Sequence, residues 1–181
     1  MNSKKISVRD LCYIGIFTAI IAACAQISIP MPAGVPMTLQ TFAIPLAGVI
    51  LGTKRGTYSA LAYVLLGAIG VPVFANFTGG LGIVIGVTGG FILSFPFMAL
   101  AAGVGASKNN KLCLWVGLVV GAVVNYICGM FYFVVAMPSN WATAFTACVL
   151  PFLPTAVVKI VLVALLGKRI KNSLIKSGVL I

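Results

Sequence analysis

The sequence predicts an all-α integral membrane protein: a single domain over residues 1–181 with six transmembrane helices and a glycine-rich re-entrant loop between the third and fourth. Three observations point there. Apolar and aromatic residues make up 61% of the 181 residues, against roughly 45–50% in average soluble domains even with glycine counted. Charged residues are only 7% of the chain, Asp10 is the sole acid and histidine is absent, so most acid–base, triad and metal chemistry has no side chains to use. Of the twelve Lys and Arg residues, eleven stand at the end of a hydrophobic stretch and only Lys159 stands inside one. The net charge of +11 therefore reflects topology and attraction to anionic lipid, not a nucleic-acid-binding face.

A membrane helix needs about 20 mostly apolar residues to cross about 30 Å of hydrocarbon. Six stretches qualify, at about 11–29, 38–52, 56–70, 90–106, 112–136 and 154–175. The third ends at Val71-Pro72, where the proline opposes continued helix. The apolar stretch from Trp141 to Leu166 contains Pro151 and Pro154, and an interior proline removes a hydrogen bond and clashes with the preceding turn. It divides into a short helix near one surface, Ala142 to Leu150, and a spanning helix that starts at Pro154, where a missing N–H costs nothing. The basic side chains of its last turns can snorkel into the headgroups.

Cytoplasmic loops carry the Lys and Arg excess. The basic connections at 53–55 and 107–111 therefore belong inside with both tails, and the charge-free connections at 30–37, 71–89 and 137–141 belong outside. The even number of spans agrees. Lys4 and Lys5, followed by an apolar run ending Ile21-Ala22-Ala23-Cys24, resemble a bacterial lipoprotein signal, but the run reads as a retained first span. The five cysteines lack a C-x-x-C pair and read as small packing residues. No metal site, cofactor site or catalytic centre is expected.

Two features of the outer side carry chemistry. The segment Val71 to Gly90 is glycine-rich and uncharged, yet too apolar for a solvated linker. Irregular backbone at membrane depth survives only where protein or a cavity satisfies it, and glycines such as Gly79 and Gly80 let backbone N–H groups approach a ligand; a packing loop without ligand is the alternative. Lys159 lies five residues after Pro154, about 7 to 8 Å down its helix. A lysine at that depth is a functional-site candidate by default, and the positive end of the helix adds to its field. No intramembrane carboxylate exists to pair with it, so its expected partner is an anion from outside, most simply the carboxylate of a small ligand; snorkelling or bonding to backbone carbonyls is the alternative. Thr38, Gln40, Asn76, Thr78, Thr88 and Ser94 are uncharged polar neighbours on that side, and Asn125 and Tyr126 lie mid-span in the fifth helix. Such residues also serve as packing glue between helices. Ala19 and Ala23 form a small-x-x-x-small pair on the first helix, which permits close approach of another helix.

Several motifs together resemble a known family: Pro36-Met-Thr-Leu-Gln40-Thr41-Phe42, Leu51-Gly-Thr-Lys-Arg55-Gly56, Gly70-Val-Pro72-Val-Phe74-Ala75, Gly86-Val-Thr-Gly-Gly90-Phe91, and Leu150-Pro-Phe-Leu-Pro154 followed by Lys159. In this order they resemble the BioY family, the biotin-specific S components of energy-coupling factor transporters. The resemblance implies a six-helix, non-catalytic subunit of a bacterial plasma membrane that captures biotin from outside. Its implied partners are a membrane coupling subunit and two ATPase subunits; the chain itself has no G-x-x-x-x-G-K-[ST] loop. The family's Ala-x-x-x-Ala motif, which packs on the coupling subunit, falls on Ala19 and Ala23. Its capping loop falls on Val71 to Gly90 with Asn76 as a contact, and its last-helix lysine falls on Lys159.

One position departs. Family members usually carry an aspartate three residues before that lysine, and here the residue is Ala156. Alanine can neither accept from the ureido N–H groups of biotin nor pair with the lysine. Either another acceptor such as Asn76, Gln40 or a backbone carbonyl replaces it, or the ligand is a carboxylate without a ureido ring, such as lipoate. An intramembrane enzyme using Lys159 or a cysteine as nucleophile, and a passive pore, are the readings from other classes.

Overall fold

The structure, a computed structural model, describes residues 7–31, 34–108 and 110–180. Lys4 and Lys5, part of the basic N-terminus and of the signal-like pattern, lie outside the described residues, and Cys24 lies within the first helix.

Helix α1, Val8–Gln26, begins with a capping box: the Ser7 hydroxyl accepts from the Asp10 N–H, and the Asp10 carboxylate accepts from the Ser7 N–H, which satisfies amides that the helix leaves unbonded. The helix ends three residues before the expected Ile29. Pro30 restricts Ile29 to extended backbone, and strand β1, Ser28–Ile29, pairs antiparallel with β2, Met37–Thr38, in the register Ser28 with Thr38 and Ile29 with Met37. The second helix consequently starts at Gln40 instead of 38.

Helices α2, Gln40–Leu51, and α3, Thr53–Ala68, are joined by Gly52 alone. Its φ of +82° makes the turn, a conformation that glycine adopts without steric cost. The expected basic connection at 53–55 is thus not a loop: Lys54 and Arg55 belong to the first turn of α3, and Arg55 Nε lies 2.6 Å from the Asp10 carboxylate. Residues 69–80 make a return segment, with a 3-10 turn at Ala75–Phe77, and lead to the short helix α4, Leu81–Val84. Part of the connection expected to be irregular is therefore helical.

Helix α5, Gly89–Ser107, lies at the centre of the bundle, flanked by α2, α3 and α6, Lys111–Ala136. Small residues permit this. A Cβ at Gly48 would meet the Ala99 carbonyl, and one at Gly105 would lie 2.5 Å from that of Cys113. Asn140 caps α7, Trp141–Cys148, by accepting from the Thr143 N–H. A 3-10 turn, Leu150–Phe152, then feeds α8, Leu153–Lys176. Both prolines fall at the starts of these elements, so the expected break in the last apolar stretch is present.

Among the described residues, α1, α5, α6 and the helical run Trp141–Lys176 are long and apolar enough to cross a membrane. Helix α2 is shorter, at 12 residues, about 18 Å, and is buried on most of its surface. At the charged end of the bundle, Arg9 Nη2 donates to the carbonyls of Gly178 and Val179, and Leu180 is buried beside Ile50 and Leu51. This ties the last residues to α1 and α2.

Candidate functional site

At the opposite end, helices α2, α5, α6 and α8 and the 69–88 segment enclose a cavity of about 300 Å³. Its walls are mostly apolar and include the aromatic rings of Phe74, Phe91, Phe95, Tyr126 and Phe152. Phe74 is buried with its ring edge-on to Tyr63, centroids 5.6 Å apart. This pins the return segment to the bundle at the mouth of the cavity.

Polar groups interrupt these walls at two ends. At one, Lys159 reaches from the second turn of α8 and donates to the Thr38 carbonyl at 2.7 Å and to Thr41 Oγ1 at 2.9 Å. Both partners are neutral, and the sole acid of the chain, Asp10, is bound to Arg55 at the far end of α1. The lysine charge is thus uncompensated within the bundle. The Thr38 hydroxyl donates to Gln40 Oε1 at 2.7 Å, Gln40 Nε2 donates to the Tyr63 hydroxyl, and that hydroxyl donates to the Val73 carbonyl at 3.1 Å. A chain of polar groups therefore joins the lysine to the root of the return segment.

At the other end, Asn76 and Phe77 both adopt left-handed backbone, with φ of +57° and +55°. For residues other than glycine this conformation is costly and persists only when its surroundings hold it. Gln26, the last residue of α1, supplies that hold. Its Nε2 donates to the carbonyls of Val73 and Phe74 at 3.3 and 3.1 Å, and its Oε1 accepts from the Phe77 N–H at 2.8 Å. The Ser28 hydroxyl donates to Asn76 Oδ1 at 2.7 Å.

Of the residues expected at a site, Thr38, Gln40, Asn76, Thr78, Thr88, Tyr126 and Lys159 line the cavity. Gly79 and Gly80 do not. A Cβ at Gly79 would meet the Val71 carbonyl, and Gly80 has φ of +102° and donates its N–H to the Gly67 carbonyl at 2.6 Å, so this pair folds the segment back on α3. Ala156 lines a separate void of about 10 Å³, shared with Thr41, Asn125, Tyr126 and Lys159. Ser94 stands behind the wall as the hydrogen-bond partner of Asn125. The sequence reading missed Thr41, Gln26 and the phenylalanines; the spacing of Phe91 and Phe95, four apart on one helix face, was the available signal. Ala19 and Ala23 are exposed on α1, away from the cavity.

The profile of the BioY family matches residues 1–176. The chain belongs to the BioY family. Among BioY relatives, the biotin transporter of Thermotoga maritima is 38% identical over 169 residues, covering 91% of this chain and 97% of the relative. The biotin transporter of Rhodobacter capsulatus is 34% identical over 178 residues, with 90% and 93% covered. The BioY fold is also similar to the crystal structure of the S component for biotin from an ECF-type ABC transporter, with a TM-score of 0.82, 25% identity and 95% and 94% of the two chains aligned.

Proposed function

We propose that the chain is a substrate-binding S component that captures biotin from the outer face of a bacterial plasma membrane for ATP-driven uptake. It does no chemistry on its ligand. The observation that carries this reading is Lys159, an uncompensated cation at the wall of an aromatic cavity, in a chain whose BioY relatives are biotin transporters. The volume of about 300 Å³ falls at the lower end of small-ligand pockets, about 300–1,000 Å³. Aromatic walls suit a fused ring and an aliphatic chain, and Lys159, Gln40, Thr38, Asn76, Thr78, Thr88 and Tyr126 supply the polar contacts.

Helices α1, α2, α3, α5, α6 and α8 are the six spans of one membrane domain, and the segment between α3 and α5 is the loop that covers the ligand. Both termini and the basic turns are cytoplasmic, against anionic lipid. The exposed Ala19 and Ala23 pack against the membrane coupling subunit, which carries two ATPase subunits. Reorientation of the bundle within that complex releases biotin inside. Ala156 favours one second reading, lipoate in place of biotin.

Uptake of labelled biotin by cells that lack their own transporter tests the proposal. Expression with coupling and ATPase subunits is expected to give saturable uptake that excess lipoate leaves unchanged. Uptake inhibited by lipoate in preference to unlabelled biotin would establish the second reading, and saturable uptake of neither would remove both.

A further inference from the structure

The ends of four helices meet around one ring at the charged end of the bundle, that of Tyr13 on α1. The guanidiniums of Arg9 and Arg55 each lie 5.7 Å from its centroid, within reach of a cation–π contact, and Arg55 belongs to the first turn of α3. Residues 177–180 leave α8 and turn back toward this ring. Gly178 makes the turn with φ of +71°, and the Val179 and Leu180 N–H groups both donate to the Leu174 carbonyl at 3.0 Å.

Two kinds of contact hold the turned segment. Arg9 Nη2 donates to the Gly178 and Val179 carbonyls at 2.6 and 2.5 Å, its Nε donates to the Tyr13 hydroxyl at 2.6 Å, and that hydroxyl donates to the Val179 carbonyl. The cation thereby also faces the C-terminal end of α8, which carries partial negative charge. Leu180 is 6% exposed and packs with Ile50 and Leu51 of α2 in a cluster that Tyr13 and Phe17 of α1 complete.

Elsewhere α1 packs mainly on α2 and α3, and α8 mainly on α2 and α6. Among the described residues, the hydrogen bonds between α1 and the chain from α8 onward all fall on this segment. The two helices carry different features: Lys159 at the cavity wall stands on α8, and the exposed Ala19 and Ala23 stand on α1. Energetic coupling between distant sites travels through such packed and hydrogen-bonded contacts.

We propose that residues 177–180 are a strap that makes α1 and α8 one rigid body, so that movement imposed on α1 by the coupling subunit carries the Lys159 wall of the cavity with it. This rests on the S-component reading above. The strap lies at the opposite end of the bundle from the cavity and takes no part in holding ligand.

The test uses the full chain reconstituted in liposomes with coupling and ATPase subunits, as wild type, Leu180→Asp and Arg9→Gln. The first variant puts a charge into the apolar seat, and the second removes the bonds to both carbonyls. Biotin affinity measured by calorimetry is expected to stay within about twofold, because strap and cavity share no contacts, and the coupling subunit is expected to co-purify as with wild type. ATP-driven uptake is expected to fall about threefold or more, whereas Leu180→Met, which refills the seat, retains it. Unchanged uptake in both variants would overturn the proposal. So would biotin affinity lost in parallel with uptake, because a segment that only stabilises the fold moves both together. If Leu180→Asp does not fold, Arg9→Gln, at an exposed side chain, decides by the same two readouts. Wild type without ATP-driven biotin uptake would instead remove the S-component reading itself, and the strap's role with it.

Discussion

The ammonium of Lys159 donates to the backbone carbonyl of Thr38 at 2.7 Å, across 121 residues of sequence. Thr38 is the last residue of β2, and its strand pairing with Ser28 sits just past the end of α1. The cation of α8 is therefore connected through the β1–β2 pair to Ser28, which with Gln26 at the end of α1 holds the return segment. Lys159 and Asn76 thus belong to one hydrogen-bonded framework at the cavity, and the expectations below probe its parts.

Gln26→Leu keeps the volume of the side chain but removes three hydrogen bonds to the backbone of residues 73–77. The return segment then loses its tie to α1. Stopped-flow measurement is expected to show biotin dissociation accelerated about tenfold or more, with a much smaller change in association.

Tyr63→Phe keeps the ring against Phe74 and deletes the hydroxyl that receives from Gln40 and donates to Val73. Tyr63 is fully buried, so no water replaces that hydroxyl. Thermal unfolding in detergent is expected to register a loss of about 1–3 kcal/mol.

Gly48→Leu introduces a side chain where even a Cβ meets the Ala99 carbonyl. Helices α2 and α5 must separate to admit it. The expected cost is at least about 1–3 kcal/mol, read as a lower melting temperature and poor yield of monodisperse protein.

Ala19→Trp and Ala23→Trp enlarge positions that are exposed on α1 and remote from the cavity. Biotin affinity of the isolated chain is expected to remain within about twofold, because such surface sites cost little stability. Co-purification with the coupling subunit and ATP-dependent uptake are expected to be lost.

Much of the helical framework was legible because apolar runs and charge placement are set by the bilayer itself; the starts of α5, α6 and α8 fall within a residue of expectation. The boundaries of α1, α2 and α3 were not. Arg55 looked like a loop residue because it is charged, but a one-residue turn at Gly52 and the Asp10 ion pair place it within a helix. Lys159 was legible as an isolated cation, and its bond to a backbone carbonyl was one of the alternatives. Gly79 and Gly80 misled because a glycine that permits close approach does not say to what; here it is the backbone of α3 and the residues just after it. The role of Gln26 depends on which backbone groups the fold brings within reach of its amide. No pattern in the sequence carries that information.

Biotin capture through Lys159 is tested most directly by titrating ligand-depleted, detergent-purified protein with biotin by calorimetry, with lipoate as competitor and Lys159→Ala alongside. The expected result is saturable one-to-one binding of biotin that lipoate does not disturb and Lys159→Ala abolishes. Absence of heat with biotin together with saturable binding of lipoate, or undiminished biotin affinity in Lys159→Ala, would contradict it.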